Sequence, residues 1–358
     1  MKKIRVLVID DSAFNRKAIR EMLADVPDIE VAGTAGNGEE GLKQLRQLKP
    51  DLVTLDLEMP GMDGFTFLRI VMNQSPLPIL VVSSRREAES VFQALELGAV
   101  DFLPKPTRTI SPELYNVREE LIRKIRAAKE FRLEGIRERI LPAPRPEAPK
   151  PPSAPARVEA EPGTIGFRLV VIGASTGGPA AISQILATLR PGLPIGIAVS
   201  QHMPPGFTRA FAERLDRFSV YPIKEAEDGD PFLPQQGYIS PGGKNLYLDR
   251  RGQNLVLKLS GRGREKYIPS VNILFESAAE VAGKDCLGVL LTGMGNDGKD
   301  GVIQIKQKGG SVIAQSEKSS VVFGMPREAI ATGKVDRILP TELIPRYISN
   351  WGKTGELE

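Results

Sequence analysis

The sequence predicts an α/β protein built from two doubly wound, parallel-sheet domains joined by a tether. Three observations predict it. Short apolar runs of strand length alternate with segments of helical period, first over residues 1–125 and again from residue 167 onward. Between the two patterns lies Leu141-Pro142-Ala143-Pro144-Arg145-Pro146-Glu147-Ala148-Pro149-Lys150-Pro151-Pro152, which cannot hold a helix and reads as an extended, semi-rigid spacer. Acids, hydroxyls and glycine-rich turns fall where the apolar runs end, and open α/β sheets form their binding sites at those strand ends. With 358 residues, each domain is long enough to bury its own core.

In the first domain the run Ile4–Ile9 is apolar except for Arg5, the pattern of a strand buried on both faces. Asp10, Asp11 and Ser12 follow at once, then a helical stretch to about residue 23. Further strands are expected at 29–35, 52–55, 79–82 and 100–103, with helices at 39–48, 64–72, 86–97 and 112–129. Five βα units in roughly 125 residues fit a flavodoxin-like sheet of strand order 2-1-3-4-5.

In that order the first and third strands are neighbours, so Asp10, Asp11 and Asp56 converge at one sheet edge. Close carboxylates raise one another's pKa unless a cation is present. A hard divalent ion with oxygen ligands, such as Mg²⁺, relieves the repulsion. Ser83 ends the fourth strand and Lys105 follows the fifth, before Pro106, in a Lys-Pro bond that is a candidate for the cis form. A hydroxyl and an ammonium beside such a cluster suit a phosphoryl group landing on Asp56. Acids capping helix N-termini would explain Asp10 or Asp11 singly, but not Ser83 and Lys105 at matching strand ends.

The residues Asp10-Asp11, Asp56-Leu57-Glu58-Met59-Pro60-Gly61-Met62-Asp63-Gly64, Ser83-Ser84 and Phe102-Leu103-Pro104-Lys105-Pro106 resemble a response-regulator receiver domain over roughly residues 1–125. The resemblance implies that Asp56 accepts the phosphoryl group. It also implies that Asp11, Asp56 and the backbone carbonyl of Glu58 bind Mg²⁺, with Asp10 acting through water. Ser83 and Lys105 would contact the phosphoryl oxygens, and Phe102 stands at the family's aromatic switch position.

Residues 126–166 read as a linker, charged and helical in pattern to residue 140 and then Pro-rich. The second domain, expected over 167–350, opens with a buried-type strand at 168–172 that runs into Gly173. A helix is expected at 179–189, a strand at 195–201, a helix at 207–218 and a short strand at 238–240. Strands at 246–248 and 255–259 read as a hairpin around Arg250-Arg251-Gly252. A helix at 271–281, a strand at 287–291, a helix at 302–308 and a strand at 312–314 complete a Rossmann-like, mostly parallel sheet with an inserted β-hairpin.

Composition excludes several classes. The 48 basic and 44 acidic residues leave a net charge of only +4 and form no long basic run, which argues against nucleic acid. The single cysteine, Cys286, rules out an internal disulfide framework and fits a reducing compartment; it reads as a buried small hydrophobe. The N-terminal apolar stretch is too short for a signal peptide, and no run approaches the ~20 residues that span a bilayer. A cytoplasmic protein without membrane insertion is expected. Trp351 reads as an anchoring aromatic, and Arg262, Arg264 and Lys266 as a basic loop.

The chain has one histidine, His202, directly after the strand expected at 195–201. Ser175 lies in a Gly-x-Ser-x-Gly turn after the preceding strand, where small residues let the backbone bend and expose the hydroxyl. Such a turn equally suits a phosphate or dinucleotide, although no Walker lysine follows Gly178. A serine needs a base to become a nucleophile, and the base needs an orienting carboxylate. His202 and Asp297 can supply these, in a chain order unlike that of α/β-hydrolases. A Ser–Lys dyad would have only Lys299 to draw on near either glycine turn. A regulated ligand- or nucleotide-binding module without turnover is the alternative.

The stretches Gly173-Ala174-Ser175-Thr176-Gly177-Gly178-Pro179, Gln201-His202-Met203-Pro204, Ser240-Pro241-Gly242-Gly243, Pro269-Ser270-Val271-Asn272 and Leu291-Thr292-Gly293-Met294-Gly295-Asn296-Asp297-Gly298 resemble the chemotaxis protein-glutamate methylesterases. This resemblance implies Ser175 as nucleophile, His202 as base and Asp297 as its orienter. Thr176 would support the site, and the Met294 N–H would belong to the oxyanion hole. It further implies phosphorylation-activated hydrolysis of glutamyl methyl esters and deamidation of glutamines on chemoreceptors, a histidine kinase as phosphodonor, and no cofactor for the ester chemistry. The expected gating is steric: the resting receiver screens the esterase strand ends until Asp56 is phosphorylated.

Overall fold

The computed structural model describes residues 3–84, 88–106, 112–128, 131, 166–252, 254–261 and 265–357. Most of the expected linker, including its Pro-rich part, and Arg262 and Arg264 lie outside these residues. The chain divides into two compact units, Met1–Pro142 and Ala143–Glu358. Among the described residues no helix is long and apolar enough to cross a membrane.

In the first unit β1 (Ile4–Ile9), β2 (Ile29–Ala35), β3 (Leu52–Leu55), β4 (Ile79–Ser83) and β5 (Asp101–Pro104) alternate with α1 (Ala13–Ala24), α2 (Gly38–Leu48), α3 (Gly64–Gln74), α4 (Ala88–Glu96) and α5 (Pro112–Ala127). All strand pairs are parallel, in the order β2-β1-β3-β4-β5. The continuous apolar runs are buried because helices cover both sheet faces; Val6, Leu7 and Val8 are fully buried. Helix starts are set locally. The side chains of Ser12, Asn37 and Asp63 accept hydrogen bonds from the amides of Asn15, Glu40 and Thr66, satisfying donors that the helix leaves open. The domain boundary expected at 125 falls inside α5. The Lys105–Pro106 bond is not cis; the one cis bond among the described residues is Ile268–Pro269.

In the second unit the strands are β6 (Arg168–Ala174), β7 (Ile195–Gln201), β8 (Ile223–Glu225), β9 (Gly237–Ile239), β10 (Asn245–Arg251), β11 (Asn254–Ser260), β12 (Cys286–Leu290), β13 (Ser311–Gln315) and β14 (Arg337–Leu339). The helices are α6 (Gly178–Thr188), α7 (Thr208–Phe218), α8 (Val271–Ala282), α9 (Lys299–Gln307), α10 (Met325–Ile330) and α11 (Ile344–Thr354). Seven strands form one parallel sheet, β14-β13-β12-β6-β7-β9-β8, and β10-β11 forms a separate antiparallel pair. The expected hairpin is therefore present as a sheet of its own. Its alternate residues Leu246, Leu248, Leu255 and Leu257 enter the core with Leu274, Phe275 and Ala278 of α8.

The sheet winds outward in both directions from β6, so the strand order reverses there, and the carboxyl ends of β12, β6 and β7 lie at this switch point. The short edge strands β8 and β14, and helices α10 and α11, go beyond the elements expected from sequence, and the boundary expected at 350 falls inside α11. Trp351 on α11 is fully buried beneath the Arg168 guanidinium, 6.0 Å from the ring centroid. Trp351→Ala is expected to cost this unit about 3–5 kcal/mol. Urea unfolding followed by circular dichroism checks this, and an unchanged midpoint would show that the ring is not part of the core. Cys286 is fully buried at the start of β12, and burial pushes its thiol well above the usual range.

Candidate active site and candidate phosphorylation site

Parallel pairing of β1 with β3 brings Ile9 opposite Leu55, so the acids that follow each strand emerge side by side. Ligand oxygens of Asp10, Asp11 and Asp56 lie within 4.8 Å of one another. Asp56 is fully buried, and its Oδ1 lies 2.9 Å from Lys105 Nζ and accepts from the Glu58 N–H at 3.3 Å. Asp10 accepts from the Ser12 N–H and from the Asn15 side chain. Burial and the neighbouring Asp56 nevertheless push its carboxyl up to about 6. That is the signature of a carboxylate cluster whose charge is incompletely balanced. An oxygen-only donor set with excess negative charge fits a hard divalent cation.

The remaining expected residues surround this cluster. Ser83 is buried at the end of β4, and its carbonyl accepts from the Lys105 N–H at 2.8 Å. Phe102 is buried in β5, edge-on to Phe92 with ring centroids 6.3 Å apart. Lys124 was not singled out in the sequence. It is nearly fully buried on α5, donates to the Phe102 carbonyl at 2.6 Å, and pairs with Asp101 and Glu120, each at 3.0 Å. In a helix rich in charge nothing local marks it as the buried one.

In the second unit three adjacent strands deliver three turns to one place. Ala174 of β6 pairs with Gln201 of β7, so Ser175 and His202 begin side by side, and the His202 N–H donates to the Ala174 carbonyl at 3.0 Å. The Ser175 N–H donates to the Thr292 carbonyl at 3.0 Å, fastening the turn after β6 to the turn after β12. Thr292 Oγ1 donates to the Thr176 carbonyl and accepts from the Val322 N–H. Gly293 must be glycine here: a Cβ would stand 2.7 Å from Ser175 Cβ and 2.4 Å from Met325 Sδ. Ser175 and Thr176 are buried, and Met294 is half-buried in the turn after β12.

His202 Nε2 lies 2.7 Å from Asp297 Oδ2. The other ring nitrogen, Nδ1, is buried and has no hydrogen-bond partner among the described residues. The Asp297 carboxylate is held at the N-terminus of α8. Its Oδ1 accepts from Ser270 Oγ at 3.1 Å and the Asn272 N–H at 3.0 Å, and its Oδ2 from the Val271 N–H at 2.7 Å. Burial alone would raise its pKa, but the His202 hydrogen bond and charge and these amides outweigh burial and hold it below the usual carboxylate range. A charged Asp297 that keeps Nε2 protonated leaves Nδ1 as the basic nitrogen.

Two contributors were not assigned roles in the sequence. Gln201 Nε2 donates to the Ser175 carbonyl at 2.9 Å and the His202 carbonyl at 3.0 Å, tying the two turns together. The Ser270–Asn272 segment, noted above only as part of a resemblance, cradles Asp297. Lys299, the lysine a dyad would need, is paired with Glu328 at 3.2 Å.

The fold defines a receiver-type α/β unit joined to a larger parallel α/β unit with a Ser, His and Asp at its strand ends. The family profile for the response regulator receiver domain matches residues 6–112, and that for CheB methylesterase matches residues 170–348. The chain is 51% identical to protein-glutamate methylesterase/protein-glutamine glutaminase 3 of Geobacter sulfurreducens, over 97% of each chain. It is 42% identical to the protein-glutamate methylesterase/protein-glutamine glutaminase of Pyrococcus abyssi, over 97% of this chain and 93% of that one. The crystal structure of the Thermotoga maritima CheB methylesterase catalytic domain superposes with a TM-score of 0.50 at 40% identity, over 51% of this chain and 98% of that one. The chain belongs to the protein-glutamate methylesterase/protein-glutamine glutaminase family, with an N-terminal receiver domain.

Proposed function

We propose that this chain is a phosphorylation-activated esterase and deamidase of chemoreceptors. It hydrolyses glutamyl methyl esters to glutamate and methanol, and converts selected glutamines to glutamate and ammonia. The observation that carries the reading is the pairing of the chain's one imidazole with Asp297 beside the Ser175 turn. Identity of 51% over 97% of the chain to a relative named as a methylesterase and glutaminase favours turnover over a binding module.

In this mechanism Ser175 Oγ attacks the ester or amide carbonyl carbon while its proton passes to His202 Nδ1. Asp297 keeps Nε2 protonated and stabilises the imidazolium that forms. The Met294 N–H supports the oxyanion, where removing a donor typically costs about 10²–10³ in rate, and Thr176 supports the turn that carries Ser175. The tetrahedral intermediate collapses as Nδ1 returns the proton to the methoxy oxygen or the amide nitrogen, which leaves as methanol or ammonia. Water then attacks the acyl-serine with His202 again as base, releasing the glutamate side chain and free Ser175.

Residues 1–125 form the receiver in this reading, 126–166 the tether and 167–350 the catalytic domain. Asp56 accepts the phosphoryl group from a chemotaxis histidine kinase. Asp11, Asp56 and the Glu58 carbonyl would hold Mg²⁺, with Asp10 behind it, and the ion would balance the charge of the transferring phosphoryl group. Ser83 and Lys105 would contact the phosphoryl oxygens, and Phe102 would couple their rearrangement to the neighbouring surface. Both partners place the protein in the cytoplasm. Methanol release from methylated receptor membranes, with and without a small phosphodonor and Mg²⁺, tests the reading. Release that rises with phosphodonor supports it; no release under either condition rejects it.

A further inference from the structure

A single segment, residues 265–272, braces both members of the His202–Asp297 pair. Its C-terminal part supplies the Ser270 hydroxyl and the Val271 and Asn272 amides that hold Asp297. The segment is itself fastened at the buried Asn245, whose Oδ1 accepts from the Ser270 N–H at 2.9 Å. Its N-terminal part carries Tyr267, whose ring is stacked on the His202 imidazole with centroids 4.7 Å apart and planes 10° from parallel. The phenol end rests on the turn that carries Asp297. Gly295 has φ +90 there, and a Cβ on it would stand 2.7 Å from Tyr267 Oη. Lys266 Nζ lies 5.3 Å from the Tyr267 ring centroid.

Asp297 alone does not fix the imidazole. It holds the ring at one point, Nε2, and leaves rotation about that hydrogen bond, which swings Nδ1 through an arc. A flat face packed against the ring removes this rotation. We propose that Tyr267 is a positioning residue, setting the plane of His202 so that Nδ1 points at the reacting hydroxyl. The proposal rests on the reading of His202 as the base. The ring face does the positioning and the phenol hydroxyl does not. A group acting this way lowers kcat when lost, because near-attack geometry is worth on the order of 10²-fold per ångström of misplacement, and it leaves KM unchanged.

His202 is the only histidine in the chain, so its ring gives a single set of imidazole signals in the full-length protein, and the one tryptophan, Trp351, reports by fluorescence that the same unit is folded. In a long-range ¹H–¹⁵N spectrum the folded wild type should show His202 ring protons displaced upfield by the Tyr267 ring current. Tyr267→Leu should abolish the displacement and lower kcat for methanol release on the order of 10²-fold with KM little changed. Tyr267→Phe should restore the displacement and most of the kcat. An undisplaced signal in folded wild type, an unchanged kcat in folded Tyr267→Leu, or a Tyr267→Phe protein as slow as Tyr267→Leu would overturn the proposal. The spectrum separates the two levels of inference. If His202→Ala stayed fully active while the wild-type displacement was present, the stack would survive and the role of His202 as base would fall.

Discussion

Ser175→Ala is expected to remove nearly all methanol release, a loss on the order of 10⁴-fold or more, without unfolding the unit. The change deletes one oxygen from a buried side chain, and the turn itself is held by main-chain bonds that alanine keeps, from the Ser175 N–H to Thr292 and from Gly178 to the Ser175 carbonyl. His202→Ala should cost nearly as much, because nucleophile and base act as a unit and neither works alone. Asp297→Asn should cost somewhat less. Asparagine keeps an oxygen for the α8 amides but loses the charge that holds the imidazole in one tautomer and stabilises its protonated form. Methanol release by Ser175→Ala at a near wild-type rate would refute the assignment of the nucleophile.

Asp56→Asn is expected to abolish the response to phosphodonor while basal activity stays at the resting level. The substitution removes the acceptor oxygen, and with it one carboxylate of the cluster formed with Asp10 and Asp11. Radiolabel from a small phosphodonor should appear on wild type only with Mg²⁺ present, and not on Asp56→Asn. Stoichiometric labelling of the variant would show another acceptor. Lys105→Ala should weaken activation more than labelling, since its ammonium, 2.9 Å from Asp56, senses the charge that arrives there. A modification shifts a two-state equilibrium only through its differential effect on the two states. A receiver that restrains the esterase at rest therefore predicts that deleting residues 1–125 raises activity above that of the unphosphorylated full chain. If a fragment from about residue 157 onward were as slow as the resting protein, restraint would be the wrong picture, and the phosphorylated receiver would have to contribute directly.

Much of both sites was legible in the residue order because strand-end chemistry is a local pattern. A mostly apolar run, such as Ile4–Ile9 or residues 168–172, identifies a buried parallel strand, and the residues just after it then lie at the sheet's carboxyl edge. Five consecutive βα units fit the 2-1-3-4-5 order, which makes Asp10, Asp11 and Asp56 neighbours. Where the local pattern is weak, the residue order does not reveal the element. Ile223–Glu225 and Arg337–Leu339 are three-residue edge strands carrying charges, too short to show a period, and only their pairing with β9 and β13 makes them strands.

The sequence by itself determined the two-domain α/β architecture and the strand ends at which the candidate residues Asp10, Asp11, Asp56, Ser175, His202 and Asp297 lie, because period and apolar runs are encoded over a few consecutive residues. Only the tertiary structure decided which imidazole nitrogen faces Asp297, that Gln201 ties the Ser175 and His202 turns, and that Tyr267 lies flat on His202. It also decided that Lys124, one of several charges on its helix, is the one buried against Phe102. These are relations between residues as much as 95 positions apart, as for His202 and Asp297. They depend on the twist and spacing of adjacent strands and on where α8 begins, which no local pattern of residue types specifies.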